Sequence, residues 1–511
     1  MIKKWLPGLI GLSSLALLGR IAGFIREILM ASKFGANSST DAYLTTLILF
    51  DLSIAANTAI ISATLSYLSQ PGRSGKSYEK SLKKISVYVI FAGVTISFIS
   101  FPFVDWILPH LLGTKYLAIN VFGNSVKLLL ILFSIVIPCG ILSAVLQLKG
   151  KISIPGGLTI FLNGFSIIGL IFLSTELGII SIPAGLLIGT ILFYIFQFVL
   201  SSKNYEKGNQ ETSLEIFPWI ISISLVFINL LLPSIVTLFE RYFAFGMIEG
   251  TYSHYSYAIK LGLLPLTIFG YAISTSLLPI QTKFIRENNS DEFDRITNYA
   301  FLIALISASV LITIIFTFAQ PIVKILYEHG KFLPADTSAT ASVLRIYSLG
   351  LFPFLINPIL ANVFYSFGKT KFLILIGSIT TALNILLIIL SMQIIAGSIA
   401  FATAAVLAGW IYMLVSVIYI NAKVKKIFNR KFILSGIIII PVTLLISFVC
   451  YFIFNYLFNE ASIYHLKPSE IIIRTLSGIL ITLIVIIFAL GIVVKNIFPE
   501  LISLIKKVGS K

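Results

Sequence analysis

Charge is what this chain has least of. Only 11% of its 511 residues are Asp, Glu, Lys or Arg, against about a quarter in soluble domains. Acidic residues are the scarcer kind, 20 against 37 basic ones. With 58% hydrophobic residues and a mean hydropathy of +1.01, a soluble globular class is excluded and an integral membrane protein is expected. Cysteine is nearly missing: Cys139 and Cys450 both lie in apolar runs, so no disulfide framework or cysteine metal site is indicated. No His, Cys or carboxylate cluster has ligand spacing, so no metal centre is expected. A P-loop is also lacking, because "GKS" at Gly75 and "GKT" at Gly368 have Gln70 and Val363 where a leading glycine is required. The outer loops are too short to house a catalytic domain, and an enzyme is not expected.

Long apolar runs are what the chain does have. A spanning helix needs about 20 mainly apolar residues, and fourteen stretches qualify. They lie near 6–31, 41–68, 85–108, 120–148, 154–174, 179–201, 216–239, 251–282, 297–319, 339–367, 371–392, 396–421, 432–457 and 470–494. The opening "MIKKWLPGLIGLSSLALLG" has the basic tip and apolar run of a signal peptide. It is read instead as the first span, because "RIAGFIREILMASKFG" continues it as helix without a convincing cleavage site.

Basic residues decide the orientation. With both termini cytoplasmic, the inner side collects twenty-five Lys and Arg, and the outer side only Lys33, Lys115, Arg241, Lys324, Lys331 and Lys467. That bias predicts N-in, C-in topology, and it makes most of the +17 net charge topological rather than a nucleic-acid surface. A faint repeat accompanies it. Spans four to five and ten to eleven each carry a Pro, a Gly-Lys turn (Gly150-Lys151, Gly368-Lys369) and an Asn at similar depth (Asn163, Asn384). The expected organisation is a six-helix lobe over 1–201, a cytoplasmic linker over 202–215, a second six-helix lobe over 216–421, a C-terminal helix pair over 432–494 and a tail over 495–511. Repeats of this kind frame a central substrate site.

The deep charges are the candidate site. A charge at the centre of a span costs about 2.5–3.5 kcal/mol on insertion scales, so such residues face a cavity or one another. In "LLGRIAGFIREILMASKFG", Arg20 and Glu27 share a helix face, Arg26 lies about 120° away, and Gly19 and Gly23 form an edge open to a neighbouring helix. Snorkelling is the rival reading for Arg26 and Glu27; Arg20 is deeper. Asp41 opens the second span, either as a helix-start carboxylate or as a gating group. Asp51, ten residues further in, calls for a cationic partner, such as an arginine of the first span. Lys260 sits near the midplane of the eighth span before Pro265, as a cavity cation or as the partner of Asp51. Arg345 lies two turns into the tenth span, before Pro353 and an expected break at Asn357-Pro358. His254 reads as interfacial, and Lys127 and Arg474 as snorkelling.

Four stretches together resemble the MurJ/MviN family of lipid II flippases, within the superfamily that also holds multidrug exporters and polysaccharide flippases. They are "GRIAGFIREILMASKFGANSSTDAY", "YSYAIKLGLLPLTIFGYAISTSLLP", "LYEHGKFLPADTSATASVLRIYSLGL" and "FYSFGKTK". The resemblance implies two six-helix lobes around a cavity open alternately to each side, and two C-terminal helices forming a groove for a polyprenyl tail. It implies that Arg20 and Arg26 match the arginines of the family's first helix, Glu27 its acidic neighbour and Asp41 its Asp before the second span. Lys260 stands where the family usually has an arginine. Where the family tends to have "LPNLLRR", this chain has "LILFDLSIAAN", so an arginine is replaced around Ile54 and Asp51 falls near the family's Asn.

The expectation is therefore an all-α polytopic flippase for lipid-linked peptidoglycan precursor in a bacterial inner membrane. Arg20, Arg26 and Lys260 would bind substrate, and Glu27, Asp41, Asp51 and Arg345 would gate or couple. Its partners would be an undecaprenyl-pyrophosphate-linked sugar and membrane lipid, with no nucleic acid, and the chain would act as a monomer without a resident cofactor. Drive would come from membrane potential or an ion gradient, with a coupling monovalent cation open and its site unassigned. A flippase for another undecaprenyl-linked glycan would use the same machinery. A drug/cation antiporter would instead be expected to show an acidic cavity.

Overall fold

The structure is a computed structural model that describes residues 2–68, 76–112, 116–202, 216–245, 247–266, 270–395, 397–428, 430–458 and 468–497. The turn at Gly75, the 202–215 linker beyond Ser202, and the tail beyond Ile497 lie outside the described residues, as do Lys115 and Lys467. Helices make up nearly all of the described chain, with no strand among the described residues. In order they are α1 (Ile2–Phe34), α2 (Ser38–Leu68), α3 (Lys76–Leu112), α4 (Tyr116–Leu148), α5 (Gly157–Phe172), the one-turn α6 (Ser174–Leu177), α7 (Ser181–Ser202) and α8 (Ile216–Phe245). Then come α9 (Thr251–Pro265), α10 (Tyr271–Arg286), α11 (Ser290–Tyr327), α12 (Pro334–Ser348), α13 (Leu351–Ser366), α14 (Thr370–Ile394), α15 (Ile399–Tyr419), α16 (Arg430–Phe458) and, last, α17 (Pro468–Ile497).

The expected apolar stretches fall on these helices, 251–282 on α9 and α10 and 339–367 on α12 and α13. Ten helices among the described residues are long and apolar enough to cross a membrane, or eleven if the bent pair α12–α13 counts as one span. That pair bends by 43°, and the bend sits at Leu349–Gly350 rather than at Asn357-Pro358. Pro353 falls in the first turn of α13, where a missing N–H has no intrahelical partner to lose. Pro358 is carried inside α13 without ending it.

The chain divides into two compact units, Met1–Ser253 with Gly330–Phe332, and His254–His329 with Leu333–Lys511. Within the first, α2 packs on α4 and α8, α1 on α5, and α5 on α7. Helix α8 runs along α2: Trp219 donates its indole N–H to Thr64 Oγ1 at 3.0 Å near one end, and Arg241 meets Asp51 near the other. The glycine edge of α1 does receive a neighbour. Asn163 of α5 donates to the Gly19 carbonyl at 3.0 Å, and a Cβ on Gly19 would lie 2.1 Å from Thr159 Oγ1. Close backbone approach also builds the α5–α7 contact, where a Cβ on Gly185 would lie 2.4 Å from the Phe165 carbonyl oxygen and 2.7 Å from Ser166 Cα. Backbone cannot step aside as a side chain can, so Gly185→Ala is expected to cost about 1–3 kcal/mol by overpacking. A thermal melt of the purified chain beside Gly164→Ala, where a Cβ meets nothing within 4 Å, checks it.

The second unit holds α16 to α11 by hydroxyl pairs. Thr443 donates to Ser309 Oγ at 2.9 Å and Ser447 to Thr313 Oγ1 at 3.1 Å, all four residues buried. Between apolar helices such hydrogen bonds supply the specificity that greasy contact lacks. The two Gly-Lys turns of the repeat also share one geometry. Lys151 N donates to Leu146 O and Lys369 N to Phe364 O, while Gly150 and Gly368 adopt φ of 78° and 65°. This is a helix C-terminal motif that favours glycine for its left-handed residue.

Candidate functional site

In the first unit the charges gather on α1, α2 and the C-terminal half of α8. Arg26 and Glu27, neighbours on α1, form an ion pair at 2.6 Å with side chains only 9% and 4% exposed. At that burial neither snorkels to water within this unit; each neutralises the other where a lone charge would be costly. Arg26 Nε and Nη1 have no hydrogen-bond partner among the described residues. Arg20, on the same helix, is exposed.

Asp51 finds its cation on α8 rather than on the first span. Arg241 Nη2 donates to Asp51 Oδ2 at 2.7 Å, Nε to the Tyr252 hydroxyl at 3.0 Å and Nη1 to the Thr45 carbonyl at 3.5 Å. The apolar run ends near 239, which on sequence alone puts Arg241 in an outer loop. The helix continues to Phe245, which puts Arg241 inside α8 and buries it. A signal was present in "LFERYFAF": Glu240-Arg241 interrupts a run that stays apolar and aromatic on both sides. Both arginines lie within electrostatic reach of Asp51.

Asp41 caps a helix, but not its own. Its carboxylate accepts from Gly250 N and Ser253 N at 2.7 Å each and from Ser253 Oγ at 2.5 Å, which satisfies the orphan N–H groups at the start of α9. The helix so capped carries Lys260 further along.

In the second unit Lys260 is half-buried on α9. The helix around it is locked by Tyr257 against Tyr327 at 5.1 Å and Tyr255 against Phe401 at 5.3 Å. Arg345 turns toward α16: its guanidinium lies 4.8 Å from the Tyr451 ring centre and Nη2 donates to Gln320 Oε1 at 3.4 Å. His254 pairs with Asp336 at 2.9 Å. Among the other span-end charges, Lys127 is held by Asp105 at 2.6 Å, and Arg474 is exposed. No group of three or more potential metal ligands occurs among the described residues. The structure thus brings Arg26 to Glu27, and Asp51 to a residue outside the candidate set; it places Lys260 and Arg345 in a different unit from these.

An apolar cavity of about 370 Å³ lies within the second unit, lined by side chains of α11, α13, α15 and α16 that include Phe301, Leu305, Trp410, Met413, Ile437 and Pro441. It suits a hydrocarbon chain and offers nothing to a head group.

These features define a polytopic α-helical membrane protein with the fold of the MOP-superfamily transporters. An inward-facing multidrug resistance MATE family transporter of that superfamily matches with a TM-score of 0.68 at 16% identity, over 81% of this chain and 98% of its own. Within that class the chain belongs to the MurJ family, whose sequence profile, described as "Lipid II flippase MurJ", matches residues 30–469. A lipid II flippase MurJ structure in an inward closed conformation matches with a TM-score of 0.76 at 24% identity, over 96% of this chain and all of that one. A probable lipid II flippase MurJ of Buchnera aphidicola subsp. Baizongia pistaciae is 27% identical over 428 residues, 80% of this chain and 81% of the relative.

Proposed function

We propose that this protein moves lipid II, the undecaprenyl-pyrophosphate-linked peptidoglycan precursor, from the inner to the outer leaflet of the bacterial cytoplasmic membrane. The family match over residues 30–469 carries the reading. It acts as a transporter rather than an enzyme, by alternating access between two six-helix lobes. Fourteen spans with both termini cytoplasmic satisfy the distribution of Lys and Arg. The substrate pairs a dianionic head group with a very long tail. Cations at depth replace phosphate hydration, the role given to Arg20, Arg26 and Lys260, and a lateral groove takes the tail. The apolar cavity beside α16 supports the second requirement. Glu27, Asp41, Asp51 and Arg345 gate or couple the cycle. Membrane potential can bias it, since each charge moved is worth about 2.3 kcal/mol per 100 mV; a coupling monovalent cation is the other source of drive. The protein works as a monomer.

A flippase for another undecaprenyl-pyrophosphate-linked glycan is the second reading. The altered α2 favours it, since Asp51, with its Arg241 partner, and Ile54 replace the "LPNLLRR" pattern. Expression in a strain depleted of its own lipid II flippase is expected to restore growth and rod or coccal shape. Lysis of that strain despite membrane insertion of this chain would overturn the lipid II reading.

A further inference from the structure

Helix α11 is continuous in sequence, but its backbone breaks at Phe318, where φ is −106° and ψ 18°. Pro321 accounts for the break: it has no N–H for the Thr317 carbonyl, and its ring crowds that oxygen. Before the break α11 is tied to α16 by directional bonds, the hydroxyl pairs Thr443–Ser309 and Ser447–Thr313. Around the break the contacts are rings instead. Phe318, 1% exposed, meets the Phe454 ring of α16 edge-on at 4.8 Å. It is seated at Gly478 of α17, where a Cβ would stand 2.8 Å from Phe318 Cε1 and 3.0 Å from Cζ. Glycine is a poor helix former, and here its missing side chain makes room for the ring. Arg345 of α12 closes the other side, with its guanidinium 4.8 Å from the Tyr451 ring centre of α16 and Nη2 donating at 3.4 Å to Gln320, two residues past the break. Thr317, one residue before it, is 1% exposed and its hydroxyl has no hydrogen-bond partner among the described residues. This angle of the helix therefore leaves a buried polar group unsatisfied, a penalty that a second angle can remove.

We propose that the break in α11 is a hinge and Arg345 its latch: stacked on Tyr451 and bonded to Gln320, Arg345 holds α12 and the C-terminal segment of α11 at one of two angles to α16 and α17, while the Phe318 ring pivots in the socket made by Phe454 and Gly478. The part of α11 before the break stays with α16, because its hydroxyl pairs resist sliding. A cation over a ring and one long hydrogen bond tolerate a change of angle and re-form after it, which suits a latch. Arg345 is thus a positioning residue, whose charge acts on Tyr451 and not on cargo. The proposal rests on the flippase reading only for what is carried and adds to it a moving part within the second unit.

The test uses the full chain in nanodiscs, with Cys139→Ala and Cys450→Ala and spin labels at Ser338→Cys of α12 and Leu480→Cys of α17, both exposed positions. Pulsed electron resonance reads the distance between them. Arg345→Met is expected to add a second distance to the one that dominates with the latch intact. Pro321→Ala gives back the missing N–H, so in that background Arg345→Met should add none. Pro321→Ala alone should melt at or above the parent protein, since alanine favours the helix, yet deliver lipid-linked precursor in proteoliposomes about tenfold more slowly. Gly478→Ala, which blocks the socket, should shift the distance and slow delivery too, whereas Gly491→Ala, whose Cβ meets nothing within 4 Å, should do neither. One unchanged distance in Arg345→Met would overturn the latch. A second distance that persists with Pro321→Ala, or full delivery by that variant, would overturn the hinge. A lower melting temperature in Pro321→Ala would do the same, because the break would then be structural. Failure of the flippase reading looks different: the distances would behave as described here while the parent protein itself delivers no precursor.

Discussion

Delivery of a labelled lipid-linked peptidoglycan precursor to the outer leaflet of proteoliposomes should fall to near background in Lys260→Ala and be kept or raised in Lys260→Arg. Lys260 stands on a stretch of α9 that Tyr255 and Tyr257 pack against Phe401 and Tyr327. A lysine binds phosphate as a point charge, and arginine keeps that charge while adding a planar fork. Removing it deletes a charge-assisted contact of about 1.5–3 kcal/mol, roughly 10- to 150-fold, with no arginine near Ile54 to compensate. A cation antiporter would respond in the other direction, since removing a positive charge from its cavity should speed efflux of an ethidium-type cation. Unchanged lipid delivery in Lys260→Ala would take this lysine out of the mechanism, and faster cation efflux would point to an antiporter.

The Asp51–Arg241 pair should be strongly asymmetric. Arg241 is 7% exposed and Asp51 47%, so an abandoned Arg241 stays enclosed by protein while an abandoned Asp51 is open on one side. Taking one partner from a fully buried pair costs about 3–5 kcal/mol, and half-exposure of the carboxylate lowers that. Asp51→Ala is therefore expected to cost about 2–4 kcal/mol, with Asp51→Asn nearer 1 because an acceptor remains for Nη2. In Arg241→Ala the Asp51 carboxylate adds little to the cost, and the loss comes from packing and the Tyr252 hydroxyl. A double-mutant cycle on detergent-solubilised protein, read by chemical unfolding, gives the coupling directly. Near-additive variants would show that the pair contributes nothing, as many exposed ion pairs do.

The class was legible in the sequence because a bilayer imposes a length and a composition on each helix, and both are one-dimensional quantities. The repeat was legible at its turns for a similar reason. A Gly in left-handed conformation after a helix is a local requirement, and Gly150 and Gly368 meet it with matching hydrogen bonds. The deep charges could be named, since their insertion cost depends on depth along a single helix. Their partners could not. Arg241 was assigned to the outer side because the apolar run stops before it, yet α8 extends past the run and turns that side chain onto α2. Asp41 reads as a helix-start carboxylate and does lie in the first turn of α2; tertiary packing also brings the first turn of α9 to its carboxylate, which the sequence does not show. The sequence by itself therefore determined that this is a many-spanning helical membrane protein with basic residues within its apolar helices. Which charge neutralises which, and which donors stay unpaired, was decided only when helices distant in sequence packed together, because pairing depends on distance in space and periodicity carries none of it.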